Sequence, residues 1–177
     1  MQHYREATLQ DAESIAILHA TSWRNTYRGM FSDSFLDTEV WKNRKNVWEQ
    51  RFFSPLPNQK VIVADENASL SGFVCAFGDE DSVWGTLIDN LHVSRQKQGQ
   101  GIGSQLLKHI VFWMQHSHLS DSFYLWVLND NHPARRFYEK LGATNQEAVL
   151  HDNPGGGQSL ALRYAWPDYR ILLNKIS

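Results

Sequence analysis

Leu91-His92-Val93-Ser94-Arg95-Gln96-Lys97-Gln98-Gly99-Gln100-Gly101-Ile102-Gly103-Ser104 is the stretch on which the reading of this chain turns. Val83 to Val93 reads as a long strand, and Ile102, Leu106, Leu107, Ile110, Val111 and Met114 follow as the apolar face of a helix. Glycines at 99, 101 and 103 allow unusual φ values and let the backbone approach a ligand with no Cβ in the way. The first amides of a helix lack intrahelical acceptors and sit at the positive end of its dipole, so a phosphate or pyrophosphate is the natural occupant of such a turn. The turn is not a Walker loop, because Ser104 rather than Lys follows Gly103. Nor does G-x-G-x-G match the G-x-G-x-x-G dinucleotide fingerprint.

Working outward, the segment from Gln2 to Ala7 is a short strand candidate, and Thr8 with Asp11 marks a helix start. Ile15, Leu18 and Ser22 or Trp23 carry that first helix up to Arg28-Gly29-Met30. Asp33 to Phe53 reads as a second helix, with Leu36, Val40, Val47 and Trp48 on one face, stopped by Ser54-Pro55-Leu56-Pro57-Asn58. Lys60 to Ala64 and Leu70 to Phe77 form a hairpin pair, followed by an acidic turn at Asp79-Glu80-Asp81. Beyond the glycines come a buried strand from Ser122 to Leu128 and a short helix from Pro133 to Leu141 closed by Gly142. A last hairpin, Val149-Leu150-His151 with Ser159-Leu160-Ala161-Leu162, turns through Asp152-Asn153-Pro154-Gly155-Gly156-Gly157. Strands in series mixed with two β-to-α units predict an α/β chain with an α+β-like mixed sheet.

Composition narrows the classes. The 177 residues favour one domain spanning 1–177, large enough to fold without a metal or disulfide staple. A net charge of −2 with no dense basic block argues against nucleic acid as a partner. No apolar run is long enough to span a membrane, and the polar N-terminus is unlike a secretory signal. A lone Cys75 excludes an internal disulfide and fits a reducing, cytoplasmic setting. Seven Trp point to large aromatic surfaces in the core or around a ligand.

A second stretch, Asn131-His132-Pro133-Ala134-Arg135-Arg136-Phe137-Tyr138-Glu139-Lys140-Leu141-Gly142-Ala143, gives the turn its meaning. With Gln98-x-x-Gly101-x-Gly103 upstream, the chain resembles the GNAT superfamily of acetyl-CoA-dependent N-acetyltransferases. The strong likeness covers Asn90 to Ala143, with a weaker one at Trp23-Arg24-x-x-Tyr27 and Arg163-Tyr164-Ala165-Trp166. It implies the GNAT fold: a mostly antiparallel, twisted sheet splayed between its fourth and fifth strands and flanked by helices, with acetyl-CoA in the splay. The chain departs from many members in Arg95, where they carry Pro, in Ala143, where they carry an aromatic, and in lacking a Glu on the strand before the turn.

The resemblance implies roles residue by residue. Backbone groups of Leu91, His92 and Val93 would pair with the pantetheine arm, and the Val93 amide would face the developing oxyanion. Amides of Gly99, Gln100, Gly101, Ile102, Gly103 and Ser104 would hold the pyrophosphate, with the Gln98 side chain supporting the loop. Asn131 and Ala134 belong to the cofactor wall, and Tyr138 would protonate the leaving thiolate. For the base, Asp89 is the charged candidate, His92 the second, and a water the third. Plain alternation puts Asp89 with Leu91 and Val93 on one face, and Asn90 with His92 on the other. Trp23 and Tyr27 are candidates for the acceptor cleft, while Trp41 and Trp48 lie at heptad spacing on the second helix.

The expected reaction moves acetyl from acetyl-CoA to a small-molecule primary amine within a ternary complex. A protein N-terminus or lysine as acceptor, and a non-catalytic acyl-CoA sensor, are the alternatives. No metal is expected: His116-x-His118 ends a helix with no Cys or acidic cluster beside it. Aromatic surface and the Tyr164-to-Leu173 segment could support a homodimer.

Overall fold

Continuous apolar runs through the middle of the chain build a sheet buried on both faces. The computed structural model describes residues 1–67 and 69–176. Its strands are β1 (His3–Glu6), β2 (Gln59–Glu66), β3 (Ser69–Asp81), β4 (Gly85–Val93), β5 (Phe123–Leu128), β6 (Thr144–Asp152) and β7 (Gln158–Trp166). They form one seven-stranded sheet in the order β1-β2-β3-β4-β5-β7-β6. Every neighbouring pair is antiparallel except β4 with β5. The helices are α1 (Ala12–Thr26), α2 (Val40–Phe53), α3 (Ile102–His116), α4 (His132–Lys140) and α5 (Tyr169–Ile176).

One face of β2 and β3 packs Val61, Val63, Phe73 and Cys75 against Ile15 and Ala16 of α1 and Trp48 of α2. The opposite face packs Ile62, Ala64, Val74 and Ala76 against Leu106, Leu107, Ile110 and Met114 of α3, and this cluster continues to Phe123, Leu125 and Trp166. This double coverage explains why β2 and β3 are continuous apolar runs. Tyr164, Trp166 and Leu172 are buried in this core, while Pro167 and Arg170 between them are exposed.

Several elements differ from the sequence reading: both strands of the last hairpin run longer, as β6 (Thr144–Asp152) and β7 (Gln158–Trp166), and α5 was not expected. A 3₁₀ turn over Leu9–Asp11 precedes α1, with the Thr8 amide donating to Asp11 Oδ2 at 2.8 Å. The helix from Asp33 to Phe53 forms, but it opens with a π-helical turn over Phe35–Glu39. That turn seats Phe35, Leu36 and Val40 in one small apolar cluster beside Trp23, Tyr27 and Phe31. The acidic segment Asp79-Glu80-Asp81 is the end of β3 rather than a turn, and Val83 lies in the turn itself. Asp81 pairs with Gly85 and its carboxylate accepts the amides of Val83 and Trp84 at 2.8 and 3.0 Å, which moves the reversal later.

The sheet splits between β4 and β5. Only Thr86–Phe123, Leu87–Tyr124 and Ile88–Leu125 pair, and past them the two strands separate. At the same point the β3–β4 register jumps from Ala76–Ile88 to Cys75–Asn90, leaving Asp89 as an extra, bulged residue. The bulge overturns the simple alternation. Leu91 and Val93 do face the α3 side, but Asp89 turns to the α2 side and meets Arg51 there.

Trp48 is fully buried and its indole N–H donates to His19 Nδ1 at 3.0 Å. Trp48→Phe removes volume and leaves that imidazole acceptor bare. It should lower unfolding stability by about 2–3 kcal/mol, read from the shift in urea unfolding with unchanged slope.

Candidate active site

The splay opens a cleft of about 950 Å³ lined by β4, the β4–α3 loop, α4, β5 and the end of α1. Its floor at one end is the glycine turn. Ser94 N–H donates to Ser71 O at 2.8 Å, and Lys97 Nζ reaches Glu66 Oε2 at 2.7 Å, so the loop leaves β4 along a fixed path. Gln98 Nε2 donates to Val93 O at 3.2 Å, drawing the loop back over the strand end. Gly99 and Gly101 both hold φ +78, and Gly101 is the left-handed residue from which α3 starts. Space is not their constraint, because a Cβ at either would meet nothing within 4 Å. Gly103 is different: its φ is ordinary, but a Cβ there would lie 3.2 Å from Phe137 Cζ. It lets α3 approach α4. The first intrahelical bond runs from Gln105 N to Gly101 O at 3.1 Å, so the Ile102, Gly103 and Ser104 amides precede the ladder and lack intrahelical acceptors.

Along the wedge, hydrogen-bond parity decides which backbone groups are free. Ser94 N–H points at β3, and residues of an antiparallel strand alternate in direction. His92, opposite Phe73, therefore also bonds to β3, whereas Leu91 and Val93 turn their N–H and C=O toward the gap left by β5. Of the three residues expected to offer backbone groups there, Leu91 and Val93 do and His92 does not. What His92 brings to the cleft is its ring.

The far wall is α4. Asn131 caps it, its Oδ1 accepting from Ala134 N at 3.4 Å, while Pro133 occupies the first turn. Arg135 bonds Asn129 O at 3.0 Å and Tyr164 Oη at 3.3 Å, which fixes the helix against β7. Tyr138 is 9% exposed, T-shaped to Trp166 at 6.2 Å, and lines the cleft. Burial, with Tyr27 close by, pushes its phenol well above the ordinary value, so it keeps its proton.

Trp23 and Tyr27 come together at the other end, rings 5.6 Å apart, with Phe31 5.3 Å from Trp23. Burial pushes the Tyr27 phenol up to about 12, with Arg44 acting against it. Trp48 is core and Trp41 is 40% exposed; neither lines the cleft. Ser22 Oγ lies 2.8 Å from His92 Nδ1, and the His92 ring stacks obliquely on His19 at 4.5 Å. Burial, reinforced by the Arg44 charge, drives His92 down to about 3. His19 is lowered too, chiefly by burial, and since its Nδ1 accepts from Trp48, its proton sits on a buried Nε2 without a partner among the described residues. Both imidazoles are neutral at ordinary pH. Asp89 Oδ2 accepts from Arg51 at 2.6 Å, and Arg51 also donates to Asn90 Oδ1 at 2.8 Å, so one guanidinium ties down both side chains of the bulge.

Several lining residues escaped the sequence reading: Ser22, Met30, Asn90 and Trp126. Trp126 was accessible by alternation along β5, since Leu125 and Val127 face α3 and Trp126 the other side. Met30 was not, because the β6–β7 hairpin places it: Asn153 Nδ2 and Ser159 Oγ donate to Met30 O at 3.2 and 3.4 Å. Among the described residues no group of His, Cys, Asp and Glu is arranged to hold a metal, and His116 instead donates to Phe112 O at 2.6 Å. No described helix is long and apolar enough to cross a membrane.

Comparison with known proteins agrees with this fold. The family model described as acetyltransferase (GNAT) family matches residues 20–143. YuaI of Bacillus subtilis, named as an N-acetyltransferase, is 30% identical over 180 residues, covering 97% of this chain and 98% of that protein. Among solved structures, the PaiA N-acetyltransferase of Thermoplasma acidophilum in complex with coenzyme A superposes with a TM-score of 0.71 at 19% identity, over 94% of this chain and 99% of that one. The yncA acetyltransferase of Salmonella typhimurium with acetyl-CoA gives 0.66 at 18% identity, over 94% and 93%.

The depressed His92 makes acid a probe of this site. From about pH 6.5 toward about 3 the unfolded chain binds a proton that the folded chain refuses, so stability is intact above the window and falls as pH drops through it. His19 acts in the same direction. Urea unfolding at pH 7 and pH 5 should show the loss, and His92→Asn should reduce it by about 1–2 kcal/mol.

Proposed function

The chain belongs to the GNAT acetyltransferase family, and from that membership we propose that it transfers acetyl from acetyl-CoA to the primary amine of a small molecule by direct attack in a ternary complex. The carrying observation is continuity. One cleft joins the free amides of the glycine turn, the outward backbone of Leu91 and the Val93 N–H, the Tyr138 hydroxyl and the aromatic pair Trp23 and Tyr27. Coenzyme A and acetyl-CoA in the Thermoplasma and Salmonella structures support the same ligand here.

In this reading the Gly99–Ser104 amides take the pyrophosphate and Gln98 keeps their loop folded back. Leu91 and Val93 pair with the pantetheine amides as a missing strand would. Ala134, on the partly buried side of α4, packs against the main core, and the Asn131 amide nitrogen stays available while its Oδ1 caps the helix. As the amine nitrogen bonds to the thioester carbon, the carbonyl oxygen gains charge toward the Val93 N–H. The C–S bond then breaks and the sulfur takes the Tyr138 proton. The proton lost by the amine goes to Asp89, directly or through water. Its Oδ1 is free of the Arg51 contact, and Asp89 and Asp130 are the acids that line the cleft. His92, held near 3, orients the site through Ser22 rather than retaining a proton.

A small acceptor is the reading for the aromatic end, where Met30, held through its carbonyl by the β6–β7 hairpin, joins Trp23 and Tyr27 in the cleft wall. Calorimetry should find coenzyme A binding, and thiol release from acetyl-CoA should require an added amine. Tyr138→Phe should cut kcat by about 10²-fold with little change in the KM for acetyl-CoA. Absence of binding would remove the whole reading; full turnover by the variant would remove Tyr138 as the acid. Acetylation of peptides in preference to every small amine would replace the acceptor class.

A further inference from the structure

The cleft carries positive charge that the acyl transfer does not use. Among the described residues Lys97, Lys140 and Lys175 line it, and no arginine does. Lys97 is closed by Glu66 at 2.7 Å. Lys140, the last residue of α4, and Lys175, in the last turn of α5, are both exposed. Their ammonium groups have no hydrogen bond or ion pair among the described residues. The acids of the lining are engaged elsewhere: Asp89 is paired with Arg51, and Asp130, in the turn before α4, accepts from Asn129 Nδ2 at 3.0 Å. Packing brings the two free cations to one junction. A Cβ at Gly103 would lie 3.2 Å from Phe137 Cζ, so α4 presses on the start of α3 one turn before Lys140. Two residues after Lys140, a Cβ at Gly142 would meet Ile171 Cγ2 at 2.5 Å, so the end of α4 abuts α5. Lys175 follows Ile171 by one turn on the same face of α5. The glycine turn, the last turn of α4 and the last turn of α5 are thus joined in series along one wall of the cleft.

Coenzyme A has phosphate in two places. Its diphosphate is matched by the amides of Gly99–Ser104, which are neutral donors at a helix start. Its 3′-phosphate stands one ribose away, is a monoester of about −1.5 to −2 charge at pH 7, and calls for cations rather than for a second set of amides. A lysine suits it, as a compact ammonium on a long stem that can meet a phosphate without a fixed planar approach. We propose that Lys140 and Lys175 receive the 3′-phosphate of coenzyme A at the α4–α5 junction, so that the protein selects donors carrying that phosphate over donors lacking it. This rests on the acetyl-CoA reading and adds what discriminates between donors. Lys175 lies outside residues 20–143, which match the family, so half of the grip comes from this chain's own last helix.

The test is calorimetry on the full chain with coenzyme A and 3′-dephospho-coenzyme A, which differ only in that group. Coenzyme A should bind about tenfold tighter, and the margin should shrink as sodium chloride is raised. Lys140→Gln and Lys175→Gln should each reduce the margin by about threefold and together bring it close to one, with the dephospho form bound as tightly as by the parent protein. Replacing both lysines by arginine should keep most of the margin, since the charge remains. Thermal unfolding checks that all variants are folded. Equal binding of the two ligands by the parent protein would overturn the proposal. So would a margin that the double glutamine variant leaves unmoved, or a loss of affinity shared equally by both ligands, which marks a merely structural role. In those cases the acetyltransferase reading stands. If neither ligand binds, both fall together.

Discussion

A strand that loses its neighbour must find other partners for its amides and carbonyls, and this molecule is arranged around that debt. β4 and β5 pair over three residues and then part, so Leu91 and Val93 present backbone groups to a gap. Such groups buried without partners would each cost about 1–3 kcal/mol. The fold meets the obligation in two ways. Gln98 satisfies the Val93 carbonyl from within the chain, and the remaining groups are left to water or to an extended ligand with amides of its own. In the reading proposed above a pantetheine arm is such a ligand, and its amides would offset the cost of opening the sheet.

The bulge at Asp89 makes the parting abrupt and arms it chemically. One extra residue shifts the parity of β4, so that Leu91 and Val93 turn to the α3 side while Asp89, Asn90 and His92 crowd the α1–α2 side. Without the extra residue Asp89 would point into the apolar layer beneath α3, where a carboxylate has no partner. Arg51 holds the bulge from α2, and Cys75 beneath it keeps its proton, pushed up to about 12 by burial. The bulge thereby separates an apolar face toward α3 from a charged, hydrogen-bonded face toward α2 on one strand.

What could be read from sequence follows from how local each constraint is. The glycine turn was legible because positive φ and a helix start are properties of adjacent residues, and Gly99 and Gly101 behave as such residues do. Gly103 was read as part of the same cradle, yet its reason is the Phe137 ring 34 positions later, a contact that no local pattern carries. The face of Asp89 was misread because a bulge is a property of the β3–β4 pairing, and the identity of its partner depends on Arg51, 38 residues away. The late end of β3 has the same origin: acidic residues that look like a turn become strand once Asp81 pairs with Gly85.

The histidines show how far burial outweighs residue type. His92 stands where a proton acceptor is wanted, but a ring enclosed by His19, Phe73 and Ser22, under the field of Arg44, cannot hold a proton near neutrality. The neutral imidazoles then pack at the α1 end of the cleft without cancelling the neighbouring guanidiniums. The electrostatics of that end reduce to Arg44, Arg51 and Asp89, and Arg51 with Asp89 is already a closed pair.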